Sequence, residues 1–122
     1  MENSTPKELT IKSINDFLEN EIICCTEDIL SVFDEFKKNI LPLVLIINEH
    51  SKTQVEMGCL TKVKWGRTYK EEAYIDNFWV SIDNCKVFVS DARSQPYIKA
   101  EKDCVRFVLQ LIQNGTLFDK RN

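Results

Sequence analysis

The sequence contains one histidine, His50, so neither a histidine pair on a helix nor a multi-histidine zinc site can be assembled. Its three glycines, Gly58, Gly66 and Gly115, are scattered and cannot form a glycine-rich phosphate loop. No G-x-S-x-G nucleophile turn occurs. The longest apolar run, Ile40 to Ile47, is eight residues, whereas a helical membrane span needs about twenty. Met1-Glu2-Asn3-Ser4-Thr5 has no basic segment leading into an apolar one, so no signal peptide is expected. The five cysteines (Cys24, Cys25, Cys59, Cys85 and Cys104) are odd in number, irregularly spaced and without a C-x-x-C pair. That pattern predicts reduced, mostly buried thiols in a cytoplasmic protein rather than a secreted disulfide framework.

What these absences leave is a small globular chain of 122 residues, 43% hydrophobic and 29% charged, expected to form one domain over 1–122. The net charge of −3 conceals a division. Residues 1–61 carry five Lys against eleven Asp and Glu, a balance of −6, and residues 62–122 carry eleven Lys and Arg against eight acids, a balance of +3. An acidic half disfavours a general nucleic-acid coat and favours attraction to a basic partner, although solubility alone explains modest charge equally well.

Helix signals come first along the chain. Ser13 with Asp16 three residues on predicts a helix start, and Ile14, Phe17 and Leu18 mark its face. Thr5-Pro6-Lys7-Glu8 is an earlier capping box, and the Leu9/Ile11 alternation would also suit a short strand. A second helix is capped by Thr26, favoured by Glu27 and Asp28 at its positive end, and given an apolar face by Ile29, Leu30, Val32, Phe33, Phe36 and Ile40. Pro42 is expected to end or kink it, and Leu43 to Ile47 reads as either a buried strand or a buried helix.

From Val55 the pattern changes to period two. Leu60, Val63 and Trp65 belong to a strand with a bulge or an end, and Gly66-Arg67-Thr68 is a turn. Tyr74, Phe78, Val80 and Ile82 alternate with Ile75 and Trp79, and Asp83-Asn84 is a two-residue hairpin turn into Cys85, Val87 and Val89. Ser94-Gln95-Pro96 is a loop. Cys104, Phe107, Val108, Leu111 and Ile112 repeat at helical spacing, and Asn114-Gly115 closes the helix so that Leu117 and Phe118 fold back. The order predicts an α+β fold: N-terminal helices, an antiparallel meander of about three or four strands, and a C-terminal helix packed on the sheet.

Three groups of residues are chemically suggestive. Glu19, Glu21, Glu27, Asp28, Asp34 and Glu35 form the densest acidic group, read either as a solvated helix face or as a docking surface for a basic protein. Lys62, Lys64, Arg67 and Lys70 surround Trp65 and Tyr69, a combination able to hold a phosphate backbone and stack bases. On a strand, however, this is ordinary half-buried alternation, and Glu71 and Glu72 would weaken a phosphate track. The vicinal Cys24-Cys25 could bind a soft metal or switch redox state, but it continues the apolar Ile22-Ile23 and is expected to be buried and structural. His50 lies in a polar stretch expected to be a solvated turn.

No catalytic residue, metal ligand or cofactor is therefore expected, and no membrane contact. The profile (short, acidic, α+β, catalytically bare) is similar to that of small bacterial immunity and inhibitor proteins that plug a toxin's active site. That likeness implies a non-enzymatic inhibitor of a protein partner such as a basic, nuclease-like toxin domain. Its binding residues would be Glu19, Glu21, Glu27, Asp28, Asp34 and Glu35, with Trp65 and Tyr69 as anchors. The alternatives are a nucleic-acid-binding or regulatory module built on residues 62–70, a small enzyme using Cys or carboxylate chemistry, and a homo-oligomer joined through the two-faced strand Tyr74 to Ile82.

Overall fold

Thr5 starts the first helix: its hydroxyl accepts from the Glu8 N–H at 3.1 Å, and Pro6 occupies the first position, where no N–H is needed. In the computed structural model, which describes residues 4–20 and 29–118, α1 runs Pro6–Glu19, α2 Ile29–Glu49, β1 Val55–Trp65, β2 Glu71–Ile82, β3 Cys85–Asp91 and α3 Tyr97–Gln113. The earlier capping box thus prevails over Ser13, which sits exposed inside α1, and the strand reading of Leu9 and Ile11 is overturned. Thr10, Ile14 and Phe17 form the buried stripe of α1. The cap proposed at Thr26 and the Cys24-Cys25 pair lie outside the described residues.

Pro42 does not end α2, and Leu43–Ile47 is helical. The reason lies in tertiary packing. Val32, Phe36, Ile40, Val44 and Ile47 form one buried stripe that continues past the proline, while Pro42 itself faces solvent. Burying two more aliphatic side chains offsets a lost N–H and a ring clash that together cost about 3 kcal/mol.

The three strands form one antiparallel sheet in the order β1-β2-β3. The Asp83-Asn84 turn works without glycine because both residues adopt positive φ, 47° and 69°, as a two-residue hairpin of this hand requires, and Asp and Asn tolerate that region best. The meander is anchored to α2 by Asn48, whose side chain donates to the Val55 carbonyl and accepts from the Val55 N–H, each at 2.8 Å. One side chain therefore stands in for a neighbouring strand at the start of β1.

An extra residue interrupts the pairing. Leu60 pairs with Asn77 and Thr61 with Ile75, so Asp76 is a bulge in β2. The bulge switches parity: Phe78 and Ile75, three apart, both face the core, at 1% and 0% exposure. The simple alternation that would set Ile75 opposite Phe78 is corrected accordingly. A second shift, between Val80 and Ser81, leaves Val87 exposed beside Val89 and Cys85, so the apolar alternation of β3 marks the open face and not the core.

Helices α2 and α3 cover one face of the sheet. Phe36 of α2 meets Phe78 with ring centroids 5.8 Å apart, and Phe107 of α3 stacks on Phe88 at 4.8 Å. Helix α1 packs against both of them. On the open face, Gly58 is required by close approach: a β-carbon there would lie 2.4 Å from the ring of Trp79. The C-terminal end of α3 closes as expected, with Gly115 at φ 84°, the Thr116 N–H donating to Leu111 O at 3.0 Å and the Gly115 N–H to Ile112 O at 3.3 Å. Leu117 is then fully buried, and Ser51 Oγ accepts from the Phe118 N–H at 2.7 Å.

Pro42→Ala restores the missing N–H at a solvent-facing position of α2. The variant should be more stable by about 1–3 kcal/mol, read as an increased urea midpoint with unchanged m-value. A loss of stability would show that α2 depends on the geometry imposed by the proline.

Candidate functional site

The bulge at Asp76 marks where the sheet stops being a core layer. Met57 and Cys59 still face the helices, but Thr61, Lys62, Val63, Lys64 and Trp65 are all exposed, as are Glu71, Glu72 and Ala73 opposite them. The half-buried alternation expected for Lys62–Trp65 is overturned, since all four residues are exposed among the described residues. The result is a two-stranded ribbon reaching about 13 Å beyond Thr61 at roughly 3.3 Å per residue.

Its tip is a turn closed by the Gly66 N–H donating to Lys70 O at 2.8 Å and the Tyr69 N–H to Gly66 O at 3.2 Å. Trp65 is 74% exposed, Tyr69 91% and Val63 60%. Tyr69 also holds a left-handed backbone, φ 59°, a region that disfavours bulky side chains and is natural to glycine. An aromatic ring in the least favourable backbone of the turn, with almost no packing to compensate, does nothing for the fold. Such strain concentrates at binding sites.

The basic residues of the ribbon are partly engaged locally. Lys64 stands opposite Glu72 and lies over the Tyr74 ring at 5.5 Å, and the Glu72 carboxylate sits against the Cα of Gly66. Lys62 Nζ and Arg93 Nε approach Asp76 Oδ1 at 3.6 and 3.8 Å.

The acidic candidates lie elsewhere. Glu19 is exposed in the last turn of α1, and Asp34 and Glu35 are exposed near the start of α2. Glu21, Glu27 and Asp28 lie outside the described residues. Glu19, Asp34 and Glu35 thus belong to the helical layer, whereas Trp65 and Tyr69 belong to the ribbon tip.

Two of the three described thiols, Cys59 and Cys104, are unsuited to nucleophilic chemistry. Burial raises Cys59 to about 11 and Cys104 to about 12, with negative carboxylates nearby adding to the effect, so neither is a thiolate near neutral pH. Cys85 is exposed at the start of β3. His50 is exposed after α2 and stacks on Phe118 at 6.2 Å between centroids. Among the described residues no cluster of three His, Cys, Asp or Glu is placed to hold a metal, and no helix is long and apolar enough to cross a membrane.

Glu101 is a residue the sequence reading passed over. It occupies the buried stripe of α3 at 4% exposure, and its Oε1 has no hydrogen-bond partner among the described residues. Desolvation, then the nearby charge of Glu35, raises its carboxyl to about 7, with Lys102 opposing. Its helical spacing to Cys104, Val105 and Val108 was the available signal.

The chain matches no family model, and no curated protein and no solved structure is significantly similar to it.

Because its folded pKa is raised, the uncharged form of Glu101 is favoured by folding. The stability it contributes is complete below its ordinary value of 4.5 and is lost as pH rises through about 7. Glu101→Gln should therefore gain on the wild type between pH 5 and pH 8.5, by on the order of 2–3 kcal/mol. Parallel urea titrations at the two pH values measure this, and a constant difference between the proteins would contradict it.

Proposed function

We propose that this protein is a non-enzymatic protein-binding inhibitor that presents the β1–β2 ribbon to its partner. The observation carrying this reading is Tyr69, 91% exposed and held at φ 59°, beside Trp65, 74% exposed. Aromatic side chains dominate binding hot spots because they bury large area with few rotatable bonds. A ribbon tip is also the right shape to enter a cleft. The acidic residues Glu19, Asp34 and Glu35 supply a separate negative surface suited to steering a basic partner. A basic toxin domain, neutralised in the manner of an immunity protein, is the partner class that this charge favours.

A nucleic-acid strand is the weaker occupant of the ribbon. Lys62, Lys64, Arg67 and Lys70 are present, but Lys64 faces Glu72, Glu71 pairs with Trp65, and Lys62 is drawn to Asp76. Those carboxylates reduce the counterion release on which phosphate-backbone binding depends.

The test uses the tagged full chain in its native host, with a co-purified partner identified and its affinity measured. Tyr69→Gly places glycine where the backbone favours it, so the fold should become slightly more stable, by about 1 kcal/mol. Partner affinity should fall at least tenfold, and further on adding Trp65→Ala, since exposed aromatic anchors are each worth about 2 kcal/mol or more. Reversing the charge of Asp34 and Glu35 should slow association and flatten its salt dependence. The reading fails if no stable protein partner is found, or if Tyr69→Gly with Trp65→Ala binds like the wild type. Salt-sensitive retention on heparin, lost on reversing Lys64 and Arg67, would favour the nucleic-acid alternative.

A further inference from the structure

Only one side of α2 faces the core. On another, Lys37, Leu41, Leu45 and Glu49 are all exposed and stand four residues apart. At that spacing they form one ridge along the helix, about 18 Å long at 1.5 Å per residue. Leu45 is 70% exposed and Leu41 41%, and the exposed Pro42 and Ile46 widen the apolar centre of the ridge. A single exposed leucine needs no explanation, but four neighbouring apolar side chains open to water make a patch.

The two ends of the ridge carry opposite charge. Lys37, with Lys38 beside it, lies one turn before Leu41, and Glu49 lies one turn after Leu45. Among the described residues neither Lys37 nor Glu49 makes an ion pair or a side-chain hydrogen bond. The ridge therefore reads cation, apolar, apolar, anion, an order that is complementary to itself when reversed. In an antiparallel pair of such helices the two-fold axis falls between Leu41 and Leu45. Leu41 then meets Leu45 of the second copy and Lys37 meets Glu49 of the second copy, each contact occurring twice. Asp34 and His50 fall beyond the two ends of this overlap. Ridges of four-residue spacing interdigitate at the commonest crossing of packed helices, about 50°.

We propose that this face of α2 is a self-association surface that joins two copies of the chain as an antiparallel helix pair. A strip about 18 Å long on a helix about 10–12 Å across is smaller than the interfaces of about 1,200 Å² and above that hold stable complexes. Monomer and dimer therefore exchange with concentration. Asn48 ties this end of α2 to Val55, at the start of β1, whereas the aromatic ribbon tip stands at the far end of that strand. The surface is thus separate from the tip and does not depend on the protein-binding reading.

The test is sedimentation velocity of the full chain at low ionic strength, from about 10 μM to about 1 mM, where a concentration-dependent dimer is expected. Leu45→Glu should abolish the dimer over this range with an unchanged circular dichroism spectrum, because so exposed a side chain does little for the fold. Lys37→Glu and Glu49→Lys should each weaken self-association at least about tenfold, since either sets like charges together at both ends of the pair. An equimolar mixture of those two variants restores opposite charges at both ends and should dimerise at least as tightly as the wild type. Val89→Glu, on the open face of the sheet, should leave the dimer intact. A chain still monomeric at about 1 mM would leave the face to another occupant and overturn the proposal. So would a dimer that survives Leu45→Glu or is lost in Val89→Glu, charge variants that associate like the wild type, or a mixture that does not recover.

Discussion

One surplus residue in β2 sets the plan of this molecule. Without the bulge at Asp76, the alternation beginning at Phe78 would turn Ile75 away from the helices and Tyr74 towards them. With it, Ile75 becomes the last core residue of the strand, at 0% exposure. The bulge carbonyl also fixes the start of the connection to α3 through Ala92. The sheet therefore has two regimes: a core-packed part up to Cys59 and Ile75, and a free ribbon beyond them.

The rest of the architecture holds the first regime in place. Phe36 and Phe107, from two helices, reach the same sheet face through Phe78 and Phe88. Asn48 locks the end of α2 to the start of β1 with two backbone bonds. Ser51 and Thr53, just beyond α2, capture the backbone at Phe118 and Thr116, so both ends of the helical layer close on one another. Glu101 is the exception in this apolar layer, a buried carboxyl whose Oε1 has no hydrogen-bond partner among the described residues and which lowers stability once ionised.

Much of this was legible in the sequence where local chemistry and packing agree. The repeat from Cys104 to Ile112 and the Asn114-Gly115 stop announce α3, whereas the irregular spacing of Leu60, Val63 and Trp65 suggested a bulge or an end in a strand that runs unbroken, the surplus residue being Asp76 of β2. The pattern could not say which residue was extra, because moving the surplus from β1 to β2 leaves the apolar count of β1 unchanged. Pro42 misled because its local cost was weighed without the burial of Val44 and Ile47 beyond it. Lys62–Trp65 misled for a related reason: alternation implies a buried face only where another layer exists to bury it. Tyr69 was visible as an aromatic in a basic segment, but its backbone angle was not.

Putting the aromatic tip on a thin ribbon has a physical consequence for recognition. A ribbon uncovered on both faces contributes little to the core, so residues 62–73 can vary without threatening the helix–sheet contacts at Phe36–Phe78 and Phe88–Phe107. The helical layer, by contrast, can carry surface charge at Asp34 and Glu35 because its opposite side is fixed by Val32 and Phe36. On the protein-binding reading proposed above, charge on the helical layer would act at a distance on the rate and orientation of encounter, whereas aromatic area at the tip would act only on contact, on how slowly a complex separates. Separating the two allows on-rate and off-rate to be adjusted independently. On that reading, a partner that engaged only the helical charges would leave the strained conformation of Tyr69 without a return.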